Sequence, residues 1–220
     1  MSRLDRFKKL VVATAVVAVG VLVGGGIYTA FRSAPPVSIE LDGQPAIGAA
    51  DAPVQVVIFE DFLCHMCREF SEEIFPQLER DYIATGNVRF VMVPLGFIEG
   101  SKPLANAALE VYRIAPDRYF LFVHEMFAYL RQYNVPPALE PMILSIAAQI
   151  GKIDSYELRS SIRYQRHYPA LERNYSLAKK IMGKSFGTPA LYVNGIQTSP
   201  IDYKAIKKRV EKELSKRRKN

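Results

Sequence analysis

Val54-Gln55-Val56-Val57-Ile58-Phe59-Glu60-Asp61-Phe62-Leu63-Cys64-His65-Met66-Cys67-Arg68-Glu69-Phe70 changes its period once, at the cysteines. The first six residues form a near-continuous apolar run rich in β-branched side chains, the pattern of a short strand buried on both faces. From Cys67 to about Ala84 the period is helical. Phe70, Ile74, Leu78 and Tyr82 fall on one side and Glu69, Glu72, Glu73, Glu79 and Arg80 on the other, which predicts an amphipathic helix, kinked at Pro76. Gly86-Asn87 closes it, and Val88-Arg89-Phe90-Val91-Met92-Val93 reads as a second buried strand ended by Pro94. Strand, helix, strand in this order implies a parallel pair joined by a right-handed crossover, hence an α/β fold.

Cys64 and Cys67 are the only cysteines, and they stand where a buried strand gives way to the first turn of a helix. Unpaired backbone N–H groups and the positive end of the helix dipole favour an anion there, so Cys64 is expected to ionise below the usual thiol range. A thiolate of low pKa leaves readily, which makes the oxidised pair a good disulfide donor, with Cys67, one turn in, as the buried resolving thiol. A purely structural disulfide closing so short a loop would restrict the unfolded chain little. A zinc site needs two further ligands, and His65, His124 and His167 are the only histidines, so no metal is expected.

Around the pair several residues have two readings. Glu60 and Asp61 read either as a proton acceptor for the resolving thiol or as solvated or helix-capping acids. His65 either favours the Cys64 thiolate or points to solvent, and Met66 either offers adaptable apolar surface to clients or fills the turn. His124, in Phe120-Leu121-Phe122-Val123-His124, reads as a satisfied core histidine, and His167 carries no signal.

Farther along, amphipathic pieces at about Pro103–Ile114, Arg118–Leu130, Leu139–Ile150, Ser155–Arg163 and Leu171–Met182 predict a helical insertion at about 101–183. Its breaks fall at Ala115-Pro116-Asp117, Pro136-Pro137, Gly151-Lys152 and Pro169. The run Gly187–Gln197 reads as a short strand, an Asn-Gly hairpin turn and a return strand. A closing helix is expected from about Ile201 to Lys216, with Ile201, Ala205, Val210 and Leu214 on one side. Upstream, 32–53 reads as a Pro- and Gly-containing linker with one short strand at Val37–Leu41, so the folded domain is expected to run 54–220.

Phe59-Glu60-Asp61-Phe62-Leu63-Cys64-His65-Met66-Cys67-Arg68-Glu69-Phe70 resembles the active-site stretch of the DsbA-like branch of the thioredoxin superfamily. Gly187-Thr188-Pro189, followed by Ala190-Leu191-Tyr192-Val193-Asn194-Gly195, resembles that branch's cis-proline loop and the hairpin after it. The resemblance implies a thioredoxin-like fold with a helical insertion and a protein thiol-disulfide oxidoreductase that needs no metal or organic cofactor. It implies too that Pro189 is cis and lies against the disulfide, with the Thr188 backbone free to pair with a client's extended chain. Its clients would be unfolded or reduced exported proteins, and an oxidase would be recharged by a DsbB-like quinone reductase in the membrane. Members with strong oxidase activity commonly carry proline then histidine between the cysteines; His65 and Met66 stand there instead, which bears on the potential of the pair. A disulfide isomerase or reductase on the same fold, or a client-binding chaperone with a structural disulfide, are the alternative readings.

No charged residue occurs from Leu10 to Phe31, and at about 1.5 Å per residue such a helix spans a hydrocarbon layer of about 30 Å. Residues 10–31 therefore read as a transmembrane anchor; the competing reading is a cleavable signal peptide, whose apolar core usually runs only about 7–15 residues. Arg3, Arg6, Lys8 and Lys9 against Asp5 would keep 1–9 cytoplasmic and put the catalytic domain in the periplasm or extracytoplasmic space. The net charge of +7 arises at the ends, since 204–220 alone carries nine basic and two acidic residues. The remaining body is mildly acidic, which together with export disfavours nucleic acid. The basic tail reads as a solvated helix end or a contact with anionic lipid.

Overall fold

A computed structural model describes residues 35–132 and 138–217. The cytoplasmic 1–9 and transmembrane 10–31 of the sequence reading lie outside them. Among the described residues no helix is long and apolar enough to cross a membrane.

β1 (Ala46–Ile47), β2 (Val54–Glu60), β3 (Val88–Pro94), β4 (Ala190–Val193) and β5 (Ile196–Thr198) form one sheet in the order β1-β3-β2-β4-β5. β2 and β3 run parallel, paired from Val54 with Val88 to Glu60 with Pro94, and the other neighbours are antiparallel. Alternation along the strands sends Val54, Val56, Ile58, Phe90 and Met92 into one core and Val57, Phe59, Val91 and Val93 into another on the opposite face. Cover on both faces is why β2 and β3 read as continuous apolar runs rather than alternating ones. Because the two strands are parallel, the chain leaves both at the same end of the sheet, and the cysteines follow β2 there.

The helix after the cysteines, α1, is continuous from His65 to Ile83 but changes its winding. α-helical His65–Glu69 and Phe75–Leu78 alternate with π-helical Phe70–Ile74 and Glu79–Ile83. Pro76 has no N–H to give the ladder, and the N–H groups of Phe75 and Ala84 reach back five residues, to the carbonyls of Phe70 and Glu79.

The insertion consists of α2 (Lys102–Ile114), α3 (Tyr119–Leu130), α4 (Leu139–Ile150), α5 (Ser155–Tyr164) and α6 (Tyr168–Met182). Where the sequence reading broke the chain at Pro169, α6 instead begins at Tyr168. Proline in a first helical turn lacks an N–H that would be unpaired anyway. Residues of α2 to α5 extend the first core, while Ala178 and Met182 of α6 cover the second. On α3 the inward residues are Tyr119, Phe122, Val123, Met126, Phe127 and Leu130. That periodicity leaves His124 exposed, so it is not the core histidine expected.

α7 (Tyr203–Arg217) closes the fold with Ile206, Val210 and Leu214 buried; Ile206 rather than Ala205 fills the inward position. The hairpin before it turns at Asn194 and Gly195, both at positive φ, 46° and 74°. The expected strand at Val37–Leu41 is absent. Val37 gives a single backbone bond to the Gly195 carbonyl, and the segment's strand is β1, whose two residues pair with Phe90 and Val91. The sheet thus reaches into the expected linker.

Candidate active site

Cys64 occupies the N-cap of α1 in an extended conformation, φ −79° and ψ 119°. Its N–H donates to the Asp61 carbonyl at 3.0 Å, which fixes the turn out of β2. The Cys64 pKa is lowered to about 5, first by a hydrogen bond from the Cys67 thiol, then by Thr188 and the N–H groups of Cys67 and Met66, with partial burial opposing. As a thiol, Cys64 donates to the Thr188 carbonyl at 3.3 Å. Cys67, one turn on, is fully buried. Burial, the hydrogen bond it gives Cys64 and the nearby acidic Glu60 push its pKa well up. One sulfur is thus held ready to be an anion and the other to keep its proton.

The two acids before the motif are both fully buried, so neither is solvated. They differ in what they touch. The Asp61 carboxylate accepts from the N–H groups of Leu63 (3.0 Å), Phe97 (2.8 Å) and Ile98 (3.1 Å) and from the Ser101 hydroxyl (2.8 Å). It ties the loop after β3 to the turn that carries Cys64. Neither carboxylate oxygen of Glu60 has a hydrogen-bond partner. Burial, with the charges of Asp61 and Cys64 adding, raises the Glu60 pKa well above the carboxylate range. Burial thus favours the protonated form of Glu60, and any charge it carries is felt by Cys67.

His65 is exposed and points its Nδ1 at Glu69, 3.3 Å away and one turn along the helix. It is not among the leading causes of the Cys64 shift. Met66 is 53% exposed, the apolar side chain nearest the pair that faces solvent. The Thr188–Pro189 peptide is cis, and so is Ser199–Pro200. Apolar Met66, Phe70, Ile74, Pro189 and Ile201 line a groove of about 340 Å³ beside the cysteines, together with the acids Glu69, Glu73 and Asp202.

A strand ending at a cysteine pair, a helix opening on it, and a cis proline brought back against it form a recurring arrangement. A family model described as thioredoxin matches residues 40–212. The chain belongs to the thioredoxin family. Within it, disulfide bond formation protein D of Bacillus subtilis (strain 168) is 31% identical over 176 residues, covering 79% of this chain and 78% of that protein. Probable disulfide bond formation protein D of Bacillus anthracis is 28% identical over 205 residues, covering 91% and 93%. The crystal structure of oxidised BdbD from Bacillus subtilis superposes with a TM-score of 0.76 at 30% identity, over 84% of this chain and 100% of that one. That of Chlamydia trachomatis DsbA gives 0.70 at 25% identity, over 82% and 95%. This member of the thioredoxin family is a DsbA-like thiol-disulfide oxidoreductase.

Sequence reasoning missed two things here. Glu110, fully buried on α2, is hydrogen-bonded by Arg113 of the same helix and, at 2.6 Å, by His167, which lies far along the chain at the start of α6. The role of the loop Leu95–Ser101 was also invisible, although a Gly-flanked Phe97 directly after a buried strand marks a loop at the cysteine end of the sheet.

Proposed function

We propose that this chain oxidises cysteine pairs in exported proteins, with Cys64 the exchanging sulfur and Cys67 its resolver. The observation that carries the reading is the opposed ionisation of two thiols one turn apart. A client thiolate attacks the Cys64 sulfur of the oxidised pair. The Cys64–Cys67 bond breaks, and Cys67 departs and takes up a proton, for which this reading makes the buried Glu60, coupled to Cys67, the source. A second client thiolate attacks the client sulfur of the mixed disulfide, and Cys64 leaves as a stabilised thiolate. Two electrons have passed from client to enzyme, and the client holds the new disulfide. The groove beside Met66 and Pro189 suits the client's apolar side chains, and the Thr188 backbone suits its extended chain. Relatives named for disulfide formation support this direction over isomerase, reductase or chaperone readings.

Residues 10–31 serve in this reading as a single-pass anchor with 1–9 cytoplasmic, supported by the uncharged run and the basic residues before it. The domain then faces the extracytoplasmic space, in one plane with a DsbB-like quinone reductase that takes the two electrons away. Cys67→Ala tests the exchange step: mixed disulfides between Cys64 and reduced proteins should accumulate on non-reducing gels. Failure of the wild type to oxidise a reduced protein, or a potential near thioredoxin's value of about −270 mV, would overturn the oxidising direction.

A further inference from the structure

We propose that the cavity between the loop after β3 and α6 is a second client pocket, one that seats an apolar, preferably aromatic, residue flanking the reacting cysteine. The inference rests on the exchange reading above. The cavity is about 330 Å³, and Leu95, Phe97, Ile98, Lys102, Leu171 and Tyr175 are among its walls. Leu95 and Leu171 form a buried apolar floor, whereas Phe97 is 39% exposed. The ring of Phe97 meets Phe186 edge-on at 5.1 Å and lies 6.3 Å from Tyr175, which itself meets Phe186 at 5.3 Å. Such an aromatic wall presents large rigid apolar area at small entropic cost. At the rim Lys102 is paired with Glu172, so its charge is already answered; Glu99 is the remaining charge and disfavours an acidic occupant.

The pocket is built onto the reacting site. Asp61 holds the Phe97 and Ile98 N–H groups and the Ser101 hydroxyl with its carboxylate, and the Cys64 N–H with its carbonyl. Gly96, at φ +65°, lets this loop lie against the start of α2; a Cβ there would stand 3.0 Å from the Lys102 Cα. Gly100 lies against Leu63, 3.6 Å from its Cδ1 to an added Cβ. Leu63, against Gly100, and Phe186, against Phe97, touch the pocket's walls from outside and precede Cys64 and Thr188, whereas Met66 and Pro189, which line the other groove, follow them. A client chain joined to Cys64 and lying along Thr188 accordingly has one flank toward each cavity.

The test uses reduced peptides with a single cysteine, carrying Phe or Gly two residues before or two residues after it, against the oxidised enzyme. At one of the two positions the wild type should react with the Phe peptide about tenfold faster, as expected for one apolar side chain seated in a pocket. That ratio should fall toward one in Phe97→Ala and in Phe97→Glu, with the thermal midpoint of each variant showing that it remains folded. Equal rates for Phe and Gly peptides, or a ratio unmoved by both substitutions, would overturn the pocket. So would a ratio lost instead on Ile201→Ala, which assigns the preference to the other groove. If the wild type reacts with none of the peptides, the exchange reading itself fails.

Discussion

Cys64 meets the start of a helix and the Thr188 carbonyl, while Cys67 is fully buried against Cys64 and the buried acid Glu60, with one backbone hydrogen bond, to Asp61, opposing the rise in its pKa. Their sequence spacing announced the pair but not the size of this contrast. In the reduced protein, thiolate ultraviolet absorbance should titrate with a midpoint about 5, set by Cys64, and Cys64→Ser should abolish that transition. A midpoint in the ordinary thiol range would remove the basis for the oxidising assignment. Glu60 and Asp61 could not be told apart in the sequence, because adjacent residues at a strand end turn opposite ways. Glu60 keeps the parity of Val56 and Ile58 and so joins the core beneath Cys67, whereas Asp61 turns to the loop after β3. Glu60→Gln keeps the shape without a transferable proton. It should slow release of Cys67, and hence client oxidation, on the order of a hundredfold, read by rapid-mixing kinetics of client oxidation.

At the scale of elements, the insertion helices were legible because each repeats its apolar residues every three to four positions. β1 was not, since two residues carry no period and its pairing with β3 is a tertiary matter. Nor was the polar cluster that links the helices. Glu110 sits in an apolar stretch of α2, and its partners are Arg113 on the same helix, Arg166 after α5 and His167 before α6. Burial alone would raise its pKa, but the hydrogen bonds from Arg113 and His167 and the charges of Arg113 and Arg166 outweigh it and lower the value. With a depressed folded pKa, Glu110 adds stability that is fully present above the ordinary 4.5 and is lost as pH falls through its folded value. Glu110→Gln should cost about 1–3 kcal/mol near neutral pH, less than for a fully buried pair because Arg113 and Arg166 are partly exposed. Urea titrations of wild type and variant should converge in acid; a constant difference would show that the charge is not the cause.

For the molecule as a whole the pair's ionisation couples redox state to pH. Folding lowers the Cys64 pKa from 9.0 to about 5, so the reduced fold gains stability as pH rises through that interval and loses it as pH falls back through about 5. The oxidised fold has no such thiol to titrate. Below about pH 5 two electrons therefore bring two protons, and above it only Cys67 takes one. The reduction potential should fall by about 59 mV per pH unit in acid and about 30 mV per unit around neutrality. Equilibration with glutathione across this range measures it, and an unbroken slope of about 59 mV would contradict the thiolate. The thioredoxin-like arrangement was legible from two motifs far apart. What the chain could not reveal was how closely β2 and β4 bring them, because strand pairing is fixed by the whole sheet.

That pairing has a consequence for how the protein is born. The Cys64 sulfur and the carbonyl it touches are separated by 124 positions in the chain. Synthesis proceeds from the N-terminus, so the cysteines emerge while the β2 edge that will receive β4 is still empty. Until Thr188 is made, the reactive pair lacks the carbonyl that faces Cys64. During the enzyme's own biogenesis the reactive pair is thus exposed before the loop that faces it has been made.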